Sequence, residues 1–347
     1  MPELPEVESQ RRDLEASCVG MQLQGINPLE QGGGGREGLF DDKVIGEEMT
    51  AAGIEASLQG KWVIAARRRG KQMWLEFGVT RDAATPSLCL LMHLGMTGGI
   101  NVRGGEGPKY KTAKPRTNDT EVWPPRFTKL ELTFAGDEGS GCTIAFCDSR
   151  RFGRIYLREG DAASAPPISK LAADPIIDPP SVATFASMLA ASSMPVKAAL
   201  LDQNRIVCGV GNWVADEVLY QAEILPAAPC NSLSLEQASA LHTQILSVCQ
   251  LACAANGARE EFPENWLFHH RWANQTKGSI SSPLGTIHFD TVGGRTTAFL
   301  PHRQKAGTQK GAAPRKAAVK KEKGHAQEKA GKGQEKAGKG QEKAGKG

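Results

Sequence analysis

The sequence predicts an α+β protein in which strands and helices occupy different halves of the chain. Between Gly20 and Leu157, short runs rich in β-formers alternate with Gly, Pro and Asp. After Pro180 the apolar residues fall three and four apart, the helical period. Near residue 290, two short alternating runs flank Gly293-Gly294, the signature of a β-hairpin.

In chain order, residues 6 to 16 read as a helix, with Pro5 near its first turn and carboxylates, Glu3 and Glu6 among them, clustered there. The strand-like runs are "WVIAARR", "QMWLEFGV", "SLCLLMHL", "KLELTFAG", "CTIAFCD" and "GRIYLRE", a spacing that fits a sandwich or a barrel. "NVRGGEGPKYKTAKPRTNDTEVWPP" is polar and Gly/Pro-rich and reads as a mobile loop. "DAASAPPISKLAADPIIDPP" reads as a linker. Three helices follow from "SVATFASMLAAS", "GNWVADEVLYQAEIL" and "LSLEQASALHTQILSVCQLACAAN". The hairpin is "GTIHFDTV" and "RTTAFL", held by its tight turn and by burial of Ile287, Phe289 and Phe299. The end repeats QEKAGKG three times from Gln327 and is expected to be disordered.

Charge is unevenly spread. Residues 302–347 hold 14 Lys and Arg against 4 Asp and Glu, a net of +10, so the +4 of the whole chain leaves −6 on residues 1–301. An anionic partner of the body must therefore be met by local basic clusters. No apolar run reaches the roughly 18 residues a membrane helix needs, and the acidic start lacks a secretory core. The 8 cysteines contain no CxxC pair, as expected of reduced structural thiols in an intracellular protein.

Several segments carry chemistry. "MPELPEVE" places Pro2 behind a methionine that is ordinarily removed before a small residue. A freed prolyl amine has a reference pKa of about 7.7–8.0, and a following helix dipole disfavours its cation. A neutral secondary amine can attack an electrophilic sugar carbon, with Glu3 beside it as proton donor. "ARRRGK" concentrates Arg67, Arg68, Arg69 and Lys71 at a strand turn, suggesting phosphate contacts. "HLGMTGG" and "CDSRRFGR" set Met96, Arg150 and Phe152 at strand ends, where apolar wedges and cations suit insertion between base steps. "GVGNWVADEVLYQAEILP" opens a helix with a turn whose N–H groups, with Asn212, can point at an anion.

These segments, in this order, resemble the formamidopyrimidine-DNA glycosylase / endonuclease VIII family, over roughly residues 1 to 301. "NWVADEVLYQA" and "GGRTTA" look most like its plant and fungal branch. The resemblance implies an N-terminal β-sandwich catalytic domain (1–160), a linker (161–180), a helix–two-turns–helix DNA-binding domain (181–282), a finger hairpin (283–301) and a basic tail (302–347). It implies a monomeric bifunctional DNA glycosylase and apurinic/apyrimidinic lyase of base excision repair, acting on double-stranded DNA with oxidised bases or abasic sites. Pro2 would form the Schiff base and Glu3 would serve as general acid/base, supported by Glu6 and His93. Lys71 would bind phosphate and assist strand cleavage. Asn212 and Arg295 would bracket phosphates. Met96, Arg150 and Phe152 would fill the gap left by a flipped base, Arg150 facing the orphaned partner. Lys61 lies outside any matching motif.

Two departures modify this expectation. Bacterial members end in a four-cysteine zinc finger, whereas Cys253 is the last cysteine here, so no metal or other cofactor is expected. "NWLFHHRWANQTKGSISSP" stands where bacterial enzymes cap the flipped base, so formamidopyrimidines and further-oxidised guanines are expected over intact 8-oxoguanine. "RFTKLEL" also replaces a His-containing stretch. A catalytically dead damaged-DNA-binding protein of the same fold is the alternative, but such a protein would be free to lose Pro2, Glu3 or Lys71. The lysine-rich tail points to the nucleus or to a DNA-tethering arm.

Overall fold

A computed structural model describes residues 2–105, 107, 122–272 and 278–308. The quoted 101–125 loop lies largely outside the described residues, as does the tail beyond residue 308.

Helix α1 spans Leu4–Cys18, two residues longer at each end than the sequence suggested. Eight strands follow: β1 (Gln22–Asn27), β2 (Trp62–Arg69), β3 (Gln72–Gly78), β4 (Leu88–His93), β5 (Gly99–Val102), β6 (Thr128–Ala135), β7 (Gly141–Cys147) and β8 (Arg154–Glu159). All six quoted runs fall on strands. The short β1 and β5 were not singled out, nor was helix α2 (Ala51–Leu58), whose eight residues give little period to read.

The strands form one antiparallel sheet in the order β5-β7-β6-β1-β2-β3-β4-β8. At the middle, β1 and β2 pair at Gln22↔Trp62, flanked by backbone bonds between residues 20–23 and 60–63, and β1 carries a register shift between Leu23 and Gly25. The sheet therefore bends there. Leu23, Leu132, Phe134 and Phe146 of one half share a core with Val63, Leu75, Phe77 and Met92 of the other. Two leaves facing across one core make a sandwich, which settles the sandwich-or-barrel alternative.

The second half holds α3 (Val182–Ala190), α4 (Val196–Leu201), α5 (Asn212–Gln221) and α6 (Leu235–Ala254) around a separate core. α3 and α6 start at Ser181 and Ser234, whose hydroxyls accept from the backbone N–H of Thr184 and Gln237. Helix α1 joins the two cores: Val7 and Leu14 are buried in the sandwich, while Leu4 is fully buried among the helices. A buried leucine contributes roughly 2 kcal/mol. That anchorage fixes the chain's first residues between the two halves.

The finger has three strands, not two: β9 (Ser279–Ser282), β10 (Gly285–Val292) and β11 (Arg295–Phe299), in the order β11-β10-β9. Gly293 and Gly294 both have positive φ, as a tight two-residue hairpin turn requires. Ile287 is buried and Phe289 partly so, against Tyr220, Leu267, Ala298 and Leu300. Phe299 does not join them. It pairs with His288 in the ladder, and strand alternation sends it to the opposite face from Ile287.

Part of the segment assigned to the tail is ordered. Gln304 donates from Nε2 to the Ile224 carbonyl at 2.9 Å and accepts from Leu300 N–H at 2.7 Å, and Leu225 N–H donates to the Lys305 carbonyl at 2.8 Å. The chain thus docks on the end of α5 at residues 304–305 and, through Thr308, on Gln237 of α6, before its composition turns to Lys, Gly and Ala.

Candidate active site and nucleic-acid interface

The site forms where the start of α1 meets the turn entering α5. Leu4 N–H donates to the Gly209 carbonyl at 3.1 Å, and Gly209 has φ +85. A Cβ at Gly209 would lie 2.5 Å from a Leu4 methyl carbon, so only glycine permits the approach.

Pro2 and Glu3 are both buried. The Glu3 carboxylate accepts from Trp213 N–H at 2.9 Å and from Val214 N–H at 3.0 Å, the free donors of the first turn of α5. The positive end of that helix suits an anion. This corrects the expectation that the turn's N–H groups await an external anion. The chain's own Glu3 occupies those of Trp213 and Val214, while the half-buried Asn212 side chain turns to the finger. A Cβ at Gly211 would sit 2.3 Å from Glu3 Cδ, so the second glycine of the Gly-Val-Gly-Asn turn makes room for the carboxylate.

Glu6 accepts from Glu3 N–H at 2.9 Å and from Trp213 Nε1–H at 3.0 Å. Burial, with the neighbouring Glu3 charge, raises its pKa to about 7. Folded protein therefore keeps a proton there that the unfolded chain releases above its ordinary 4.5. The associated stability is full below that pH and is lost as pH rises through about 7. Glu6→Gln, the neutral isostere, removes this titration. The Tm of wild-type protein should fall relative to the variant between about pH 5 and pH 8, measured by paired thermal melts.

Lys71 follows Gly70 at the β2–β3 turn. Its ammonium donates to the Val210 carbonyl at 2.9 Å, which brings it to the same 209–214 turn that holds Glu3. Burial lowers its pKa, opposed by Glu3 and reinforced by Arg295. His93 stands opposite Gln72 in the β3–β4 ladder and accepts at Nδ1 from Gly95 N–H at 3.2 Å. Burial, Lys71 and Arg154 depress its pKa to about 4, so it is neutral at cellular pH.

The basic turn divides its labour. Arg68 is buried, pairing with Asp174 at 2.6 Å and Glu8 at 2.9 Å, and Gly70 N–H donates to Asp174 at 2.7 Å. Arg69 pairs with Asp178 and Arg67 with Glu76. Arg68 is thus not a phosphate ligand. A guanidinium on a half-buried hairpin is stable only beside carboxylates, and here it ties the Lys71 turn to α1 and the linker. Sequence reasoning missed Glu8 and Asp174, because neither the helix nor the linker marks them.

Asn212 and Arg295 come together through the finger. Asn212 Nδ2 donates to the Thr296 carbonyl at 3.0 Å, and exposed Arg295 opens β11 one residue away. Beneath them the buried Asp216 carboxylate meets Lys197 at 2.6 Å, Arg271 at 2.6 Å and Ala298 N–H at 3.0 Å. Lys197 also donates to Thr297 Oγ1 at 2.8 Å. This buried group fastens the finger to α4 and α5. Nothing in the residue pattern revealed it.

Met96 and the 148–153 loop form a separate edge. A Cβ at Gly95 would meet the Phe152 backbone at 2.4 Å, so the two loops lie in contact. Asp148 accepts from Thr97 Oγ1 at 2.6 Å, Arg150 N–H at 3.1 Å and Gly153 N–H at 2.6 Å. Phe152 is 43% exposed, with the Arg150 guanidinium 5.0 Å from its ring centre. An exposed aromatic beside a cation at a rigid loop tip has the form of a base-stack wedge.

Comparison with known proteins agrees with this arrangement. Residues 1–155 match the family model of the formamidopyrimidine-DNA glycosylase N-terminal domain, and residues 171–262 match that of its H2TH domain. The chain is 37% identical over 305 residues to a formamidopyrimidine-DNA glycosylase of Arabidopsis thaliana, covering 88% of this chain and 71% of the relative. A Corynebacterium glutamicum protein of the same name is 34% identical over 266 residues, covering 74% of this chain and 80% of its own. The Lactococcus lactis formamidopyrimidine-DNA glycosylase bound to DNA containing an AP site superposes with a TM-score of 0.64 at 26% identity, over 87% of this chain and 99% of that one. The Thermus thermophilus protein gives 0.63 at 28%, over 88% and 100%. By sequence and by fold, the chain belongs to the formamidopyrimidine-DNA glycosylase family.

Proposed function

We propose that this protein is a bifunctional glycosylase and abasic-site lyase that excises oxidised purines, formamidopyrimidines above all, from double-stranded DNA. The observation that carries the reading is the convergence of Glu3, the direct neighbour of buried Pro2, and of Lys71 on the single turn 209–214. Once Met1 is removed, the Pro2 nitrogen attacks C1′ of an extruded nucleotide, and the glycosidic bond breaks with its electron pair leaving on the base. Glu3, clamped at the helix start, takes the proton that the attacking prolyl nitrogen sheds and passes it to the sugar ring oxygen as the ring opens, leaving an iminium ion. That cation acidifies the C2′ proton. Its removal expels the 3′ phosphate, a second elimination expels the 5′ phosphate, and hydrolysis of the iminium frees Pro2. Lys71 holds phosphate beside the lesion, while Asn212 and Arg295 hold phosphates from the helical turn and the finger. Met96, Arg150 and Phe152 fill the vacated stack.

The test is borohydride reduction with duplexes bearing single defined lesions. Covalent capture is expected on formamidopyrimidine and abasic duplexes, and binding without capture would favour the non-catalytic alternative. A nuclear site of action fits the basic tail, whose relevant residues lie outside those described.

We also read the finger as metal-independent. Among the described residues no group of three or more His, Cys, Asp or Glu could hold a metal ion, and the Asp216 group supplies the fastening instead. Overnight dialysis against a strong chelator should leave lesion cleavage unchanged. Asp216→Asn leaves two buried cations unbalanced and should lower the Tm and weaken DNA binding by about tenfold or more, read by melting and by anisotropy.

A further inference from the structure

"RFTKLEL" puts a lysine in the middle of a strand, and the structure buries it. Lys129, in β6, is 1% exposed and pairs with Glu30 and, at 3.1 Å, with Asp41, themselves 1% and 0% exposed. The remaining face of Asp41 is taken by Arg151, whose Nε and Nη2 each reach a carboxylate oxygen at 2.8 Å. Two cations and two anions balance in a closed chain from the sandwich interior to the surface.

Its outer end is the loop tip. Arg151 has φ +57, a conformation a side chain-bearing residue rarely holds without an external constraint, and the bidentate bond to Asp41 supplies one. Arg150 and Phe152 flank it directly. Two residues after Asp41, the Lys43 ammonium lies 5.7 Å from the Phe152 ring centre. The 41–43 segment therefore supports the tip at both Arg151 and Phe152, and Lys129 holds that segment in place.

We propose that Asp41 and Lys129 are positioning residues: acting through Arg151, they set the pose of Arg150 and Phe152 and so determine discrimination of the base opposite the lesion. The inference rests on the proposed function, because it needs a duplex whose orphaned base meets Arg150. Neither residue touches the Pro2–Glu3–Lys71 group, so chemistry on an abasic site that has no opposite base does not depend on them.

The experiment compares kcat/KM on an abasic site opposite C, opposite A, and in a single strand. Asp41→Asn breaks the chain at its centre. Arg151→Lys, at a partly exposed residue, keeps the charge and removes the bidentate grip, and it carries the test where Asp41→Asn does not fold. A well-placed bidentate contact to a base edge is worth about tenfold or more in discrimination. Each variant is expected to bring the ratio between opposite bases about tenfold closer to one while single-strand cleavage stays within about twofold of wild type. An unchanged ratio overturns the proposal, as does an equal fall on all three substrates or a wild-type ratio of one. Absence of borohydride capture by wild-type protein instead overturns the proposed function, so the two failures are distinct.

Discussion

Pro2→Gly is expected to lose the borohydride-trapped adduct by two orders of magnitude or more, roughly the scale of removing a covalent nucleophile. The substitution leaves a terminal amine, so the loss has a specific origin. A secondary amine condenses to an iminium that cannot shed a nitrogen proton, so it remains a cationic electron sink throughout elimination. A primary amine gives an imine that is neutral until protonated. Glycine also releases the pyrrolidine ring from its buried seat beside α1, and a displacement of about 1 Å can cost about a hundredfold in rate. Single-turnover trapping on an abasic duplex measures the effect, with DNA affinity as the control. Adduct forming at the wild-type rate would remove Pro2 from the mechanism.

Gly211→Ala should be nearly as damaging, although Gly211 makes no chemical contribution of its own. Its backbone, φ −119 and ψ −156, is open to alanine, so there is no conformational penalty. The cost is steric: the added carbon would lie 2.3 Å from Glu3 Cδ and 2.6 Å from Oε1. Glu3 cannot slide away without losing the Trp213 and Val214 N–H bonds. We expect about a hundredfold fall in adduct formation and a stability loss of about 1–3 kcal/mol. In a Glu3→Ala background the clash disappears, so the stability cost of Gly211→Ala should vanish there. Equal costs in both backgrounds would show that the glycine serves something other than Glu3.

What could be read without coordinates was chemistry in contiguous motifs and structure of regular period. Six strand runs, three helices and the finger hairpin were legible because alternation and the 3.6-residue period are local properties. Pro2, Glu3, Lys71, Asn212 and Arg295 were legible because each sits in a short string of unusual composition. Short elements such as β5, α2 and α4 carry too few residues to show a period. Phe299 was misplaced because a one-residue difference in register decides which face a side chain takes.

The partnerships were not legible. In the sequence, "ARRRGK" is four equivalent cations. Folding divides them, because a guanidinium taken out of water must find carboxylates, and those of Arg68 come from residues 8 and 174. Likewise the N–H groups of α5 looked open to any anion, until the helix start closed over Glu3. Asp216 and Asp41 had no signal at all, and Lys129 only that of a lysine within a strand, since a buried charge differs from a solvated one only in its surroundings. The sequence by itself determined which reactive groups the chain possesses and the family it joins. Tertiary structure decided which charges are spent on one another and which remain to meet DNA, because pairing depends on distance and burial between residues that can lie more than two hundred positions apart.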